Sequence, residues 1–230
     1  MAAMRETDAL IRALARDAPP VRRLPPPARR VVRWLAVALP VVALFGALMG
    51  PRPDLAEMLT ERAFLVPLLA ALVTAVCTAH AAFTSCIPGS PKWPLWLPAA
   101  PLAIWIASLG RQCWQAWLAF GAEGVVFRLD LVCLPVIAMV GAVPAIAIVA
   151  MVRRGAPLTP RLTAFLGALA AVALADVGLR LVHPQDAAFM VLVWQFGSVA
   201  VFASVIGLFG RWLLPWRRAA AEGSLTPTQV

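Results

Sequence analysis

Charge is scarce in this sequence. Only 13% of its residues are Asp, Glu, Lys or Arg, and 62% are hydrophobic, against about 25% charged and about 45–50% apolar in an ordinary soluble domain. A soluble protein of this length could bury a good core, but it would still need a charged coat, and there are too few charges to make one. The apolar residues must therefore face lipid. Signatures of chemistry are missing too. The four cysteines, Cys77, Cys86, Cys113 and Cys133, show no CxxC or zinc-finger spacing. There is no phosphate-binding glycine loop, no HExxH and no GxSxG. No pair of acidic residues falls inside one apolar run, as a proton relay or ion path would need, and no internal repeat of the transporter kind is visible. The expectation is a protein that is not an enzyme and takes no cofactor. No cleavable signal peptide is expected either, because about 30 polar, Pro-rich residues precede the first apolar run.

What is present is a set of six apolar runs, at residues 31–50, 63–87, 93–109, 129–152, 162–182 and 188–210. Each is long enough, or nearly so, to cross about 30 Å of hydrocarbon as a helix. Pro and Gly punctuate them, at Gly50-Pro51-Arg52-Pro53, Pro88-Gly89-Ser90-Pro91 and Gly155-Ala156-Pro157. The third run is the weakest, being short and carrying Pro94, Pro98 and Pro101. The expected fold class is all-α: a polytopic bundle of about six transmembrane helices. It divides into a cytoplasmic N-terminal segment (1–30), a membrane domain (31–210) and a basic tail (211–230).

The basic residues orient this bundle. Of 20, 19 are Arg, a bias that, with abundant Ala and Pro, fits a GC-rich bacterial genome. A pI near 11 in a soluble protein would point to nucleic acid; in a membrane protein it reflects topology, so no direct nucleic-acid partner is expected. With both termini inside, only Arg52, Arg62, Arg111, Arg128 and Arg180 lie outside, leaving 15 of the 20 within. The external side also takes Asp54, Glu57, Glu61, Glu123, Asp130 and Asp186. Such a split obeys the positive-inside rule and agrees with an even number of spans. Trp34, Trp93, Trp96, Trp114, Trp117, Trp212 and Trp216 gather near the proposed boundaries as an aromatic belt would.

Few polar residues lie within the runs. Asp176 is the one acid inside a span, four residues before Arg180. One helical turn makes an ion pair available, and an intramembrane ionisable residue is either such a structural pair or a functional site. Cys77, His80 and Thr84 share one helical face, a thin basis for a metal site beside the reading as a helix–helix contact. On the proposed topology Cys113, Cys133 and His183 all belong to the external side, where thiols meet oxidants or metal ions. They are candidate signal-sensing residues, with Cys133 and His183 as candidate metal ligands. Two unrelated thiols and a loop histidine is the competing reading.

The N-terminal segment carries the other candidate. Residues 5–17 read as a short helix with Leu10, Ile11 and Leu14 on one side and charges such as Arg12 on the other. Thr7 and Asp8 suit its first turn, and Pro19-Pro20 end it. Pro25-Pro26-Pro27 then forms a stiff spacer before Arg29-Arg30. A helix this short is marginal alone. It becomes useful if its apolar stripe docks into a partner's groove, or if it anchors on anionic lipid. The spacer, which would hold it off the bilayer, favours a partner.

Several strings occur in a characteristic order: Asp8-Ala9-Leu10-Ile11, Pro20-Val21-Arg22-Arg23-Leu24-Pro25-Pro26, Arg52-Pro53-Asp54-Leu55, Ala82-Phe83, Pro88-Gly89, Arg153-Arg154-Gly155-Ala156-Pro157-Leu158 and Trp194. In this the chain resembles, over nearly its whole length, the NrsF family of bacterial six-span membrane proteins. The resemblance implies an anti-sigma factor in the bacterial inner membrane. Its cytoplasmic N-terminal segment would hold a sigma factor of the extracytoplasmic-function class and release it on metal or oxidative stress. It also implies sensing by external cysteines. Cys133 sits where one would fall; the other is expected immediately before a proline in the last external loop, where this chain has His183. That departure leaves a Cys/His metal site, or Cys113 as a substitute thiol partner. The rival functions are a small transporter or channel, for which Asp176, His80, Gln195 and Ser198 are few and scattered, and an external redox or metal sensor with another output.

Overall fold

The computed structural model describes residues 2–17, 24–125, 133–155, 157–183 and 188–214. Helix α1 spans Ala2–Asp17 and stands apart in character, its apolar residues exposed. Pro27 opens α2, Pro27–Met49, at a first-turn position where the missing N–H costs nothing. A short α3, Leu55–Met58, precedes α4, Arg62–Thr84. Next come α5, Ala99–Phe120, α6, Cys133–Val152, and α7, Pro160–Val182. A single turn, α8 (Ala188–Met190), passes through a π-helical stretch, Val191–Phe196, into α9, Gly197–Leu208, and α10, Gly210–Leu213, closes the described chain. No strand occurs among the described residues. Among the described residues six helices are long and apolar enough to cross a membrane, and the chain is an all-α polytopic membrane protein.

The bundle is built around α7. This helix is apolar on every face and buried on nearly every face, the signature of a central helix. It packs against α2, α4, α6 and α9. In lipid there is no hydrophobic drive between apolar helices, so close backbone approach must supply the packing energy. Small residues permit it: Ala168, Ala171 and Ala175 on α7 are buried, as are Ala71, Ala75 and Ala79 on α4. Gly178 is needed where α2 crosses α7, since a Cβ there would lie 2.6 Å from Val42 Cγ1. On α2 a stripe of Val31, Trp34, Ala38 and Val42 turns inward, while Val32, Val37, Leu39, Leu44 and Leu48 stay exposed and face lipid.

Successive long helices reverse direction, giving the bundle two ends. The proximal end holds the start of α2, next in sequence to α1; the distal end holds the start of α4 and the close of α7.

Three features depart from the sequence expectations. The third apolar run, expected over 93–109, becomes a short 3-10 turn, Trp93–Trp96, followed by α5 as far as Phe120. Pro98 is its N-cap and Pro101 lies in its first turn, so the prolines mark the start of the helix and do not break it. Arg111 and Cys113, expected in an external region, therefore lie within helix α5. Trp34, expected at a membrane boundary, is fully buried and its indole N–H donates to the Pro144 carbonyl at 2.9 Å. Trp93, Trp96, Trp114, Trp117 and Trp212 remain exposed, while Trp216 lies outside the described residues.

Candidate functional site

At the proximal end one side chain gathers three helices. Arg30, in the first turn of α2, is 3% exposed. Its guanidinium donates to the Phe83 carbonyl at 3.3 Å and to the Met151 carbonyl at 2.5 Å. Both acceptors belong to the last turn of a helix, α4 and α6 respectively, where carbonyls have no intrahelical partner. A cation there also meets the negative ends of two helix dipoles. The guanidinium stacks over the Phe83 ring, 4.4 Å from its centroid, well inside cation–π range.

The strings around Arg30 fold to support it. The Arg30 N–H closes onto Pro26 O at 3.2 Å, tying the proline spacer to the start of α2. Gly155 lies so close to Cys86 that a Cβ would sit 2.7 Å from the Cys86 Cβ, which explains the glycine in Arg153-Arg154-Gly155. Arg153 Nε donates to the Leu213 carbonyl at 2.9 Å, serving the end of α10 as Arg30 serves α4 and α6. The hydroxyls of Ser85 and Thr163 lie 2.8 Å apart and join the end of α4 to the start of α7.

The distal end is built from charge pairs and a ring. Arg52 grips Asp54 with two bonds of 2.7 Å, Nε to Oδ1 and Nη2 to Oδ2, across the intervening proline. The Arg52 side chain is 1% exposed and that of Asp54 40%. The hydrogen bond from Arg52 holds the Asp54 carboxyl below the usual carboxylate range. The Arg52 backbone N–H donates to the Leu181 carbonyl at 3.1 Å, joining this loop to α7. Phe64, in the first turn of α4, receives two cations: its ring centroid is 5.4 Å from Arg52 Cζ and 5.1 Å from Arg180 Cζ. Asp176, one turn before Arg180, is fully buried and interacts electrostatically with it. Gln112 on α5 donates to the Ala63 carbonyl at 2.7 Å. A cavity of about 210 Å³ opens here, lined by Met58, Glu61, Ala63, Phe64, Gln112 and Arg180.

The sequence candidates fall around these two clusters. Cys113 follows Gln112 on α5 and is half-buried; Cys77, Cys86 and Cys113 are free thiols. His183 caps the C-terminus of α7, its backbone N–H bonded to Leu179 O at 2.8 Å. Cys133 is the first residue of α6, which puts all three at the distal end of the chain's path, but its side chain lies outside the described residues. Among the described residues no group of three or more His, Cys, Asp or Glu is placed to hold a metal ion. His80 is half-buried with no hydrogen bond to Nδ1, and Thr84 donates back to its carbonyl at 2.9 Å. Leu10, Ile11 and Leu14 are 60%, 57% and 64% exposed. Arg12 folds back onto its own helix, Nε donating to Asp8 O at 3.1 Å.

Arg30 and the Arg52–Asp54 grip were not singled out from sequence as functional. The first was legible: residues 30, 34, 38 and 42 recur at helical spacing, so Arg30 shares the buried stripe. The second needed the turn around Pro53.

The arrangement is a set of fastenings, and what it can do is fix helix ends relative to one another and to the segment before α2. The family model described as NrsF, negative regulator of sigma F, matches residues 14–216. No curated protein and no solved structure matches the chain.

Proposed function

Because this chain belongs to the NrsF family of negative regulators of sigma F, we propose that it is an anti-sigma factor of the bacterial inner membrane. On this reading its α1 holds an extracytoplasmic-function sigma factor away from RNA polymerase, and its proximal end faces the cytoplasm. The observation that carries the reading is the exposed apolar stripe of α1, Leu10, Ile11 and Leu14. It lies one proline spacer away from a firmly fastened bundle. Exposed apolar residues in register on one helical face fit helix-in-groove recognition. The excess of arginine at the proximal end supports the orientation.

The distal end is the receiving side. Cys113 follows Gln112 and His183 lies three residues beyond Arg180 in sequence, and a metal or oxidant acting on them, or on Cys133, would disturb the Phe64 cluster. Helix α4 carries Phe64 in its first turn and Phe83 in its last, with about 28 Å of helix between them. A shift of α4 at the distal end would loosen the Arg30 bond at the proximal end, where the spacer to α1 is tied. The signal needs only to favour one arrangement over the other by about 1–3 kcal/mol.

The test is co-purification with the sigma factor, paired with a sigma-dependent reporter in cells. Leu10→Asp with Leu14→Asp is expected to abolish co-purification and leave the reporter fully on, with membrane insertion unchanged. Retained repression in that double variant would exclude α1 as the docking element.

A further inference from the structure

Beside the Arg153–Leu213 fastening the proximal end leaves a gap between two helices. Helices α6 and α9 both pack on α7 but scarcely on each other. The gap between them is a groove of about 380 Å³, within the range of small-ligand sites, about 300–1,000 Å³. Its floor is Ala168 on α7, a residue too small to fill it; its walls include Ala150 and Ile146 on α6 and Ile206 on α9. Ile146 is 68% exposed in the middle of a membrane-spanning helix, so the groove opens sideways into the bilayer.

The groove is closed at the proximal end by a charge. Arg153 and Leu213 line it there, and the bond from Arg153 Nε to Leu213 O fixes the guanidinium at the mouth. The residue is exposed, and a guanidinium carries five N–H donors, of which this bond uses one. Arg154, Arg161 and Arg211 lie on the neighbouring segments and are also exposed. Of the two acids between residues 145 and 214, Asp176 is at the distal end and Asp186 lies outside the described residues, so no described acid in this stretch stands at the proximal end.

Length decides what fits. Ala145 to Arg153 is eight residues of helix, about 12 Å, close to the depth of one leaflet, roughly half of 30 Å. An apolar slot one leaflet deep, open to lipid and ending on an arginine, has the shape of a single acyl chain hanging from a phosphate. We propose that this groove binds one anionic phospholipid, its chain between α6 and α9 and its phosphate on Arg153. The surrounding arginines add the preference for negative headgroups that basic pockets between membrane helices show. The inference does not depend on what α1 binds.

The experiment uses the full chain purified in mild detergent, with native mass spectrometry as readout. Phosphatidylglycerol and phosphatidylcholine of identical chains are added in turn. The wild type is expected to retain one phosphatidylglycerol in preference to phosphatidylcholine. Arg153→Gln should weaken phosphatidylglycerol retention by about tenfold, the size of a charge-assisted hydrogen bond, and erase the preference. Ala150→Phe, which fills the groove from its exposed wall and spares Arg153, should lower retention of both lipids. Arg154→Gln, which removes one of the surrounding charges but not the one at the mouth, should weaken retention far less than Arg153→Gln. Excess inorganic phosphate should not displace the lipid. The proposal is overturned if both lipids add in a graded, unsaturable series, if Arg154→Gln matches Arg153→Gln, if Ala150→Phe has no effect, or if phosphate alone competes.

Discussion

The two ends of the bundle both rely on arginine, and they use it differently. At the proximal end Arg30 and Arg153 bind backbone carbonyls at helix termini. At the distal end Arg52 binds the carboxylate of Asp54, and Arg180 lies one turn from that of Asp176. A backbone carbonyl does not ionise in the physiological range, so the bonds from Arg30 and Arg153 do not depend on the protonation state of their acceptors. The carboxylate of Asp54 can be protonated, and the Arg52–Asp54 bonds depend on its charge. The difference is one of acceptor: the distal pair Arg52–Asp54 titrates, and the proximal carbonyl bonds do not.

The comparison can be broken most forcefully at its hydrophobic anchor. Trp34→Ala removes a fully buried indole one turn from Arg30 and should cost about 3–5 kcal/mol. Thermal unfolding in detergent should show a large downward shift, and the sigma-dependent reporter should turn on without any signal. Next in size is Asp176→Ala, which removes a buried carboxylate that has no hydrogen-bond partner and interacts with Arg180 only electrostatically, and should change stability by about 1–3 kcal/mol. An Asp176→Asn variant that unfolds like the wild type would show that charge at residue 176 is irrelevant to stability.

Arg30 offers a sharper probe. Arg30→Lys keeps the charge but loses the fork that reaches two carbonyls, and should destabilise by about 1.5–3 kcal/mol, the worth of a hydrogen bond from a charged group. If lysine restored full stability and repression, the proximal end would be an electrostatic contact like the distal one. The smallest effect concerns pH. Asp54 has its folded carboxyl held below the ordinary value by Arg52. Its stabilisation is therefore fully present above the unfolded carboxylate value, about 3.9, and is lost as pH falls through the lower folded value. Unfolding curves of wild type and Asp54→Asn should converge in acid and separate slightly at neutral pH. Curves that stay parallel would remove Asp54 from the pH-sensitive set.

Much of this architecture could be read before any coordinates. Apolar runs of sufficient length dictate spanning helices because lipid leaves no other way to satisfy the backbone. The weak third run shows where such reading slips. Its three prolines suppressed the apparent span, yet in a first turn proline is harmless, and the helix runs on through Arg111 and Cys113. Trp34 shows the same limit, since a tryptophan near a membrane boundary satisfies its N–H equally well at a headgroup or on the Pro144 carbonyl. Which one it meets depends on α6, 110 residues away.

The sequence by itself determined the class of the protein, the six spans, the excess of arginine toward one side and the amphipathic stripe of α1. These are local properties, set by composition and by periods of a few residues. Only the tertiary structure decided that Arg30 lies buried and binds the ends of α4 and α6, that Arg52 and Arg180 share the Phe64 ring, and that a leaflet-deep groove remains between α6 and α9. Each depends on which helix ends and faces meet, and that choice is made by close backbone packing around α7.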